Sequence, residues 1–189
     1  MGRGAVAGSG GAACLNECAN EVSTLCSGTE SPALVWEAFA QAAAAELKVV
    51  VTVSHQYAAE CSPPKQEFIK CMFPGTRIFE DATRLWEGSA FEVTSQERTA
   101  VPKADLVFAG FPCTDASRMN PRGASVENRS CLQAGTLRTG SVFAGIHKLA
   151  QAQRDTIRAL VLENVCALAE SPRDKRGRVC GPSNLSALG

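Results

Sequence analysis

From Val22 onward, short apolar runs alternate with longer stretches of helical periodicity. Val22–Cys26 reads as a strand that runs into Ser27-Gly28-Thr29. Ser31-Pro32 opens a helix, with Ser31 as N-cap and Pro32 at the first helical position, and Val35, Phe39 and Ala42 give it an apolar face. Leu47–Val53 is β-branched and short, a buried strand whose segment ends at Glu60. Ser62-Pro63 opens a second helix through Phe68 and Ile69, which Pro74-Gly75 stops. Arg77–Phe79 is a third strand, before Glu80-Asp81, while residues 82–103 show no clear period. Asp105–Ala109 is a fourth strand, leading into Gly110-Phe111-Pro112-Cys113, and residues 114–136 read as a polar loop. Val142, Phe143, Ile146, Leu149 and Ala150 mark another helix. Ala159–Leu162 is a fifth strand and ends in Glu163-Asn164.

This alternation predicts an α/β fold, a parallel sheet with helices on both faces. Ligands of such folds sit beyond the carboxyl ends of the strands. Polar and reactive residues fall at those ends: Ser27-Gly28, Glu60, Asp81, Cys113 and Glu163-Asn164.

Composition narrows the class. Apolar residues make up 45% and charged residues 20%, which is globular. Lys plus Arg count 19 and Asp plus Glu 19, so the chain lacks the basic excess of a self-sufficient nucleic-acid binder. No apolar run is long enough to span a bilayer, and the Gly-rich start suits neither a signal peptide nor a myristoylation site. Nine cysteines at irregular spacing cannot all pair, which favours a reducing, intracellular compartment. Cys14-x3-Cys18 lacks a second pair, so no metal site is expected. Arg173, Lys175, Arg176 and Arg178 read as a solvated basic loop.

Four constellations carry candidate chemistry. Cys26, Ser27, Gly28, Thr29 and Glu30 form a small strand-to-helix turn that lets backbone approach a ligand, though ordinary turns share this make-up. Glu60 and Asp81 each follow a strand; such acids accept from ribose hydroxyls or an amino group, or merely cap helices. Cys113 follows a strand on a turn stiffened by Pro112, where a thiol is held outward for attack. Glu163 and Asn164 close an apolar strand, where a carboxylate can hold or deliver a proton. The interval from Cys113 to Glu163 accommodates one helix and one strand, placing both at the same end of neighbouring strands.

These residues resemble the S-adenosylmethionine-dependent cytosine-5 DNA methyltransferases. Ala109-Gly110-Phe111-Pro112-Cys113, followed by Ser117, looks like the family's Pro-Cys-Gln-x-x-Ser catalytic loop, with Thr114 at the usual Gln. Glu163-Asn164-Val165 is similar to its Glu-Asn-Val motif. Leu25–Ser31 stands where the family has Asp-Leu-Phe-x-Gly-x-Gly-Gly, with Thr24 at the Asp, Cys26 at the Phe and Glu30-Ser31 at the paired glycines. Glu60 matches the ribose acid and Asp81 the adenine acid, with Cys61 and Ala82 beside them.

The resemblance implies a Rossmann-like methyltransferase fold and methyl transfer from S-adenosyl-L-methionine to carbon 5 of cytosine in DNA. Cys113 would add to carbon 6 of a base flipped out of the duplex, Glu163 would hold ring nitrogen 3, and Asn164 would orient Glu163 and the Cys113 loop. Cofactor contacts would come from Cys26, Ser27, Gly28, Thr29, Glu30, Glu60, Cys61, Asp81, Ala82 and Pro112. The family's later Arg-containing motif, target-recognition region and closing motif have no counterpart after Val165. Residues 1–20 are therefore read as a flexible segment, 21–170 as a partial catalytic domain and 171–189 as its polar, basic tail. A transfer-RNA cytosine-5 methyltransferase and a catalytically silent fragment are the alternatives. The chain is expected to be monomeric and, if eukaryotic, nuclear.

Overall fold

The computed structural model describes residues 17–122, 125, 131–171, 176–179 and 181. The N-terminal Gly-rich segment, Cys14, Arg173, Lys175 and the stretch after Pro182 lie outside the described residues.

Seven strands form one sheet among the described residues: β1 (Glu17–Leu25), β2 (Val50–Ala59), β3 (Arg77–Phe79), β4 (Ser89–Glu92), β5 (Glu97–Ala100), β6 (Leu106–Ala109) and β7 (Ala159–Leu162). Their order is β5-β4-β3-β2-β1-β6-β7. β3, β2, β1, β6 and β7 run parallel, whereas β4 and β5 form an antiparallel hairpin at one edge. The helices are α1 (Ser31–Leu47), α2 (Pro63–Met72), α3 (Cys131–Ala134) and α4 (Leu137–Ala152). This is an α/β, Rossmann-like architecture, mixed rather than purely parallel.

Both faces of the sheet are covered. On one face Leu25, Tyr57, Ala59, Phe79, Val107 and Ala109 pack with Ile146 and Leu149 of α4. On the other, Ala58 and Ile78 pack with Ile69 of α2, and Phe108 meets Trp36 of α1 with ring centroids 6.4 Å apart. Alternation along each strand accounts for the division, because successive side chains point to opposite faces. A bulge interrupts that alternation once: Val22 pairs with His55 but Ser23 with Tyr57, leaving Gln56 as the extra residue.

Several expectations are corrected. β2 begins at Val50, not Leu47, because α1 continues through Leu47. Ser31 is the first residue of α1 rather than its cap; Glu30 holds the cap position at φ +55°. The expected apolar face of α1 is not its buried face. Val35 is 67% exposed and Phe39 51%, Ala42 is exposed, and α1 buries Ala33 and Ala43 instead. Small side chains there let the helix lie close to the sheet.

Residues 82–103, without a clear period in the sequence, hold a 3-10 turn (Leu85–Glu87) and the β4–β5 hairpin. Its inward positions are Ala90 and Glu92. The Glu92 carboxylate accepts from Arg77 Nε and Nη2 (3.0 and 2.7 Å) and from the hydroxyls of Thr94 and Thr99 (2.6 and 2.7 Å). Burial alone would raise its pKa, but Arg77 and the two hydroxyls hold it down at about 2. The expected polar loop over 114–136 contains α3, with Cys131 and Leu132 buried. β7 lies at the opposite edge from the hairpin, with Val161 and Leu162 about half exposed.

Candidate active site

The five parallel strands end in register. Phe79, Ala59, Leu25, Ala109 and Leu162 are paired across the sheet, each the last residue of its strand. The backbone ladder continues one residue further. Glu60 N–H donates to Phe79 O (3.0 Å), Cys26 N–H to Ala59 O (2.8 Å), Gly110 N–H to Leu25 O (3.0 Å) and Glu163 N–H to Ala109 O (2.9 Å). Glu60, Cys26, Gly110 and Glu163 thus form a single row beyond the strands. Sequence reasoning named three of them as site residues, and the shared register is what aligns them.

Gly110 is the close-approach point of this row. A side-chain carbon there would lie 3.4 Å from Glu163 Oε2 and 3.5 Å from the Cys26 carbonyl oxygen. Beside it, an apolar cavity of about 560 Å³ is lined by Cys26, Ser27, Gly110 and Glu163 together with Val35 and Trp36 of α1, Phe108 and Val161.

Phe111 is buried, and Pro112 and Cys113 are partly so. The Cys113 carbonyl accepts from Ala116 N–H (3.1 Å) and Ser117 N–H (2.8 Å), which closes a turn just past the thiol. Asn164 Nδ2 donates to Phe111 O (2.8 Å), and Asn164 Oδ1 accepts from Val165 N–H (2.9 Å). Asp115 Oδ2 accepts Thr139 N–H (2.6 Å) in the first turn of α4, and Asp115 N–H donates to Thr139 Oγ1 (3.3 Å). Arg118 pairs with Glu170. The loop is tied to the β7 end and to α4 on both sides of Cys113.

On the other side of the row lies the Ser27–Thr29 turn. Gly28 adopts φ +73°, and Thr29 N–H donates to Ser27 O (2.8 Å). A side-chain carbon at Gly28 would lie 3.2 Å from Lys65 Nζ in the first turn of α2. Glu60 is 5% exposed; its Oε1 accepts Ser62 N–H (2.9 Å) and its Oε2 lies 3.8 Å from Lys65 Nζ. Cys61 is exposed, with Arg138 Nη2 3.5 Å from its Sγ. Burial, reinforced by the Glu60 carboxylate and Cys61, pushes the Cys26 thiol up to about 12. Cys26 is therefore a neutral thiol at physiological pH.

Three expected cofactor residues sit differently from the rest. Glu30 is 1% exposed, with its carboxylate turned into the protein toward Thr24, Ser27 and His55, so it supports the turn rather than facing a ligand. Ala82 is packed in the core. Asp81 is exposed at the end of β3, its Oδ1 accepting Thr83 N–H (2.8 Å), and borders a small concavity with Arg84 and Arg98. Lys65 and Arg138 are brought to the site although sequence reasoning passed over them. Lys65 carried a readable signal, since it lies one turn into the helix that follows Glu60.

The turn fits an adenosine-type cofactor in two respects: Gly28, at φ +73°, makes a tight turn covered only by the flexible end of Lys65, and a buried carboxylate, Glu60, stands at the end of the next strand. Among the described residues no group of three or more His, Cys, Asp or Glu could hold a metal ion, and no helix is long and apolar enough to cross a membrane.

A mostly parallel α/β sheet carries a glycine turn after its first strand, a Pro-Cys loop and a Glu-Asn-Val strand end, an arrangement consistent with a Rossmann-like methyltransferase fold. Over 154 residues, 82% of this chain, the sequence is 29% identical to the DNA (cytosine-5-)-methyltransferase DMT5 of Cryptococcus neoformans var. grubii. The likeness to cytosine-5 DNA methyltransferases carried by the motifs therefore extends over most of the chain. The chain spans 6% of the length of that relative. No family model matches the chain.

Proposed function

We propose that residues 21–170 form the cofactor-binding and nucleophile-bearing part of an enzyme that methylates carbon 5 of cytosine in DNA. The observation that supports this best is the aligned row at the strand ends, with the Cys113 loop tied to the Glu163-Asn164 end by the Asn164–Phe111 bond. Cys113 is the nucleophile: its thiolate adds to carbon 6 of a cytosine flipped out of the helix, making carbon 5 electron-rich. Glu163 holds or protonates ring nitrogen 3, where negative charge develops. Asn164 orients the loop. Ser27, Gly28, Thr29, Glu60 and Cys61 would hold S-adenosyl-L-methionine, with Asp81 and Pro112 at the margins of its site; when bound, it supplies the methyl group. Loss of the carbon-5 proton to a base then re-forms the carbon 5–carbon 6 double bond and breaks the carbon–sulfur bond, releasing Cys113 as the thiolate. Nuclear localisation follows from a DNA substrate in a eukaryotic cell, and the chain acts as a monomer.

The test separates nucleophile from turnover. Single-stranded DNA carrying 2-pyrimidinone in place of cytosine accepts a thiolate at carbon 6 without methyl transfer. Incubated with the chain and S-adenosylmethionine, it is expected to give a denaturant-stable complex through Cys113, absent in Cys113→Ala. No complex with the wild type, or an unchanged complex with Cys113→Ala, would overturn the reading.

A further inference from the structure

Glu30 is the most anomalous residue in the fold. It is an acidic side chain, 1% exposed, whose pKa burial raises against the Ser27 and Thr24 hydrogen bonds, on a residue at φ +55°, a conformation that favours glycine. Both the burial and the backbone are unfavourable for glutamate, so the position needs a compensating set of contacts.

That set is present. Glu30 Oε1 accepts from Ser27 Oγ (2.5 Å), and Oε2 accepts from Thr24 Oγ1. Oε2 also lies 3.3 Å from His55 Nε2, while Thr76 Oγ1 lies 3.3 Å from His55 Nδ1. Burial lowers the His55 pKa to about 4, so the ring is neutral at physiological pH. The tautomer with its proton on Nε2 donates to Glu30 and accepts from Thr76, which satisfies the chain of groups. The contacts also span elements. Thr24 belongs to β1 and His55 to β2, and Glu30 precedes α1, while Ser27 alone lies in the glycine turn. Glu30 therefore fastens the turn to two strands.

We propose that Glu30 is a positioning residue for cofactor binding: by holding the Ser27 hydroxyl, it fixes the Ser27–Thr29 turn in the shape that receives the ligand. This rests on the reading of that turn as a cofactor site. It adds a chemical preference. The Ser27 proton is committed to Glu30, so Ser27 Oγ presents only lone pairs outward, polarised by the carboxylate behind it. Its ligand partner is a hydrogen-bond donor, an ammonium or a hydroxyl.

The experiment is calorimetric titration of the full chain with S-adenosylmethionine, using the wild type, Ser27→Ala, Glu30→Gly and the double variant. Glycine suits φ +55°, so Glu30→Gly removes the carboxylate without backbone strain. Each single variant is expected to bind at least tenfold more weakly. The double variant should be no weaker than the worse single one, a coupling that loss of general stability would not produce. Additive losses, or affinity within twofold of wild type for Ser27→Ala, would overturn the proposal. Ser27→Ala keeps that arm decisive even if Glu30→Gly fails to fold. A folded wild type that binds no cofactor would instead overturn the cofactor reading, and this proposal with it.

Discussion

The side-chain amide of Asn164 donates to the main-chain carbonyl of Phe111, two residues before Cys113, at 2.8 Å. A strand end thereby sets the path of the neighbouring loop through one bond. Asn164→Ala leaves that part-buried carbonyl without its partner, which costs about 1 kcal/mol. The expected result is a small drop in the urea unfolding midpoint together with a much larger loss of 2-pyrimidinone capture at Cys113. Equal capture by the variant and the wild type would show that the loop holds its shape without Asn164.

Asp115 anchors the same loop from the other side. Its carboxylate caps α4 from outside the helix, on the N–H of Thr139, where the helix dipole favours negative charge. Asp115→Ala should destabilise the fold by about 1 kcal/mol, and Asp115→Asn, which keeps an acceptor, by less. Thermal melts of the three proteins give the ranking; a loss in Asp115→Asn as large as in Asp115→Ala would assign the effect to charge rather than to capping.

Glu92 predicts an acid-sensitive hairpin. Its folded pKa, about 2, lies below the ordinary carboxylate range. The stabilisation is therefore complete above that range and is lost as pH falls toward 2. Glu92→Gln should unfold more easily than the wild type at pH 6, by about 2 kcal/mol for hydrogen bonds to a charged group. Urea titrations at descending pH should show the gap closing. A gap that stays constant down to pH 2 would remove the carboxylate from the explanation.

Cys26 and Cys61 should differ in reactivity although both lie near the Ser27–Thr29 turn. Cys26 is held near 12 by burial, so at pH 8 only roughly one molecule in ten thousand carries the thiolate. Cys61 is exposed. Brief treatment with iodoacetamide, followed by peptide mass spectrometry, should label Cys61 at least tenfold faster. Comparable labelling of Cys26 would mean that its thiol is open and ionisable.

Much of this was legible from the chain. β3 and β7 begin and end where the sequence places them, and the polar residues that follow the strands fall in one row because the strands end in register. The β4–β5 hairpin was hidden because one of its inward positions is Glu92, a carboxylate that breaks the apolar alternation and is satisfied only by Arg77, Thr94 and Thr99. The orientation of α1 was hidden for the opposite reason. Its large apolar residues suggest the buried face, but the contact with the sheet runs through Ala33 and Ala43. Glu30 was visible as part of a turn; that its side chain folds inward depends on Thr24 and His55, which come from two different strands.

The extra residue at Gln56 explains how His55 reaches Glu30 at all. In an unbroken strand His55 and Tyr57 would share a face. Across the bulge they part company: Tyr57 enters the α4 side of the core, edge-on to Phe79, and His55 joins Thr24 on the opposite side. β2 therefore behaves as two short strands spliced out of phase. Loss of the single codon for Gln56 would make His55 and Tyr57 direct neighbours on opposite faces of a regular strand, with the Val22–His55 and Ser23–Tyr57 pairs kept, so the bulge could be lost without moving His55 from Glu30 or Glu60 from its row.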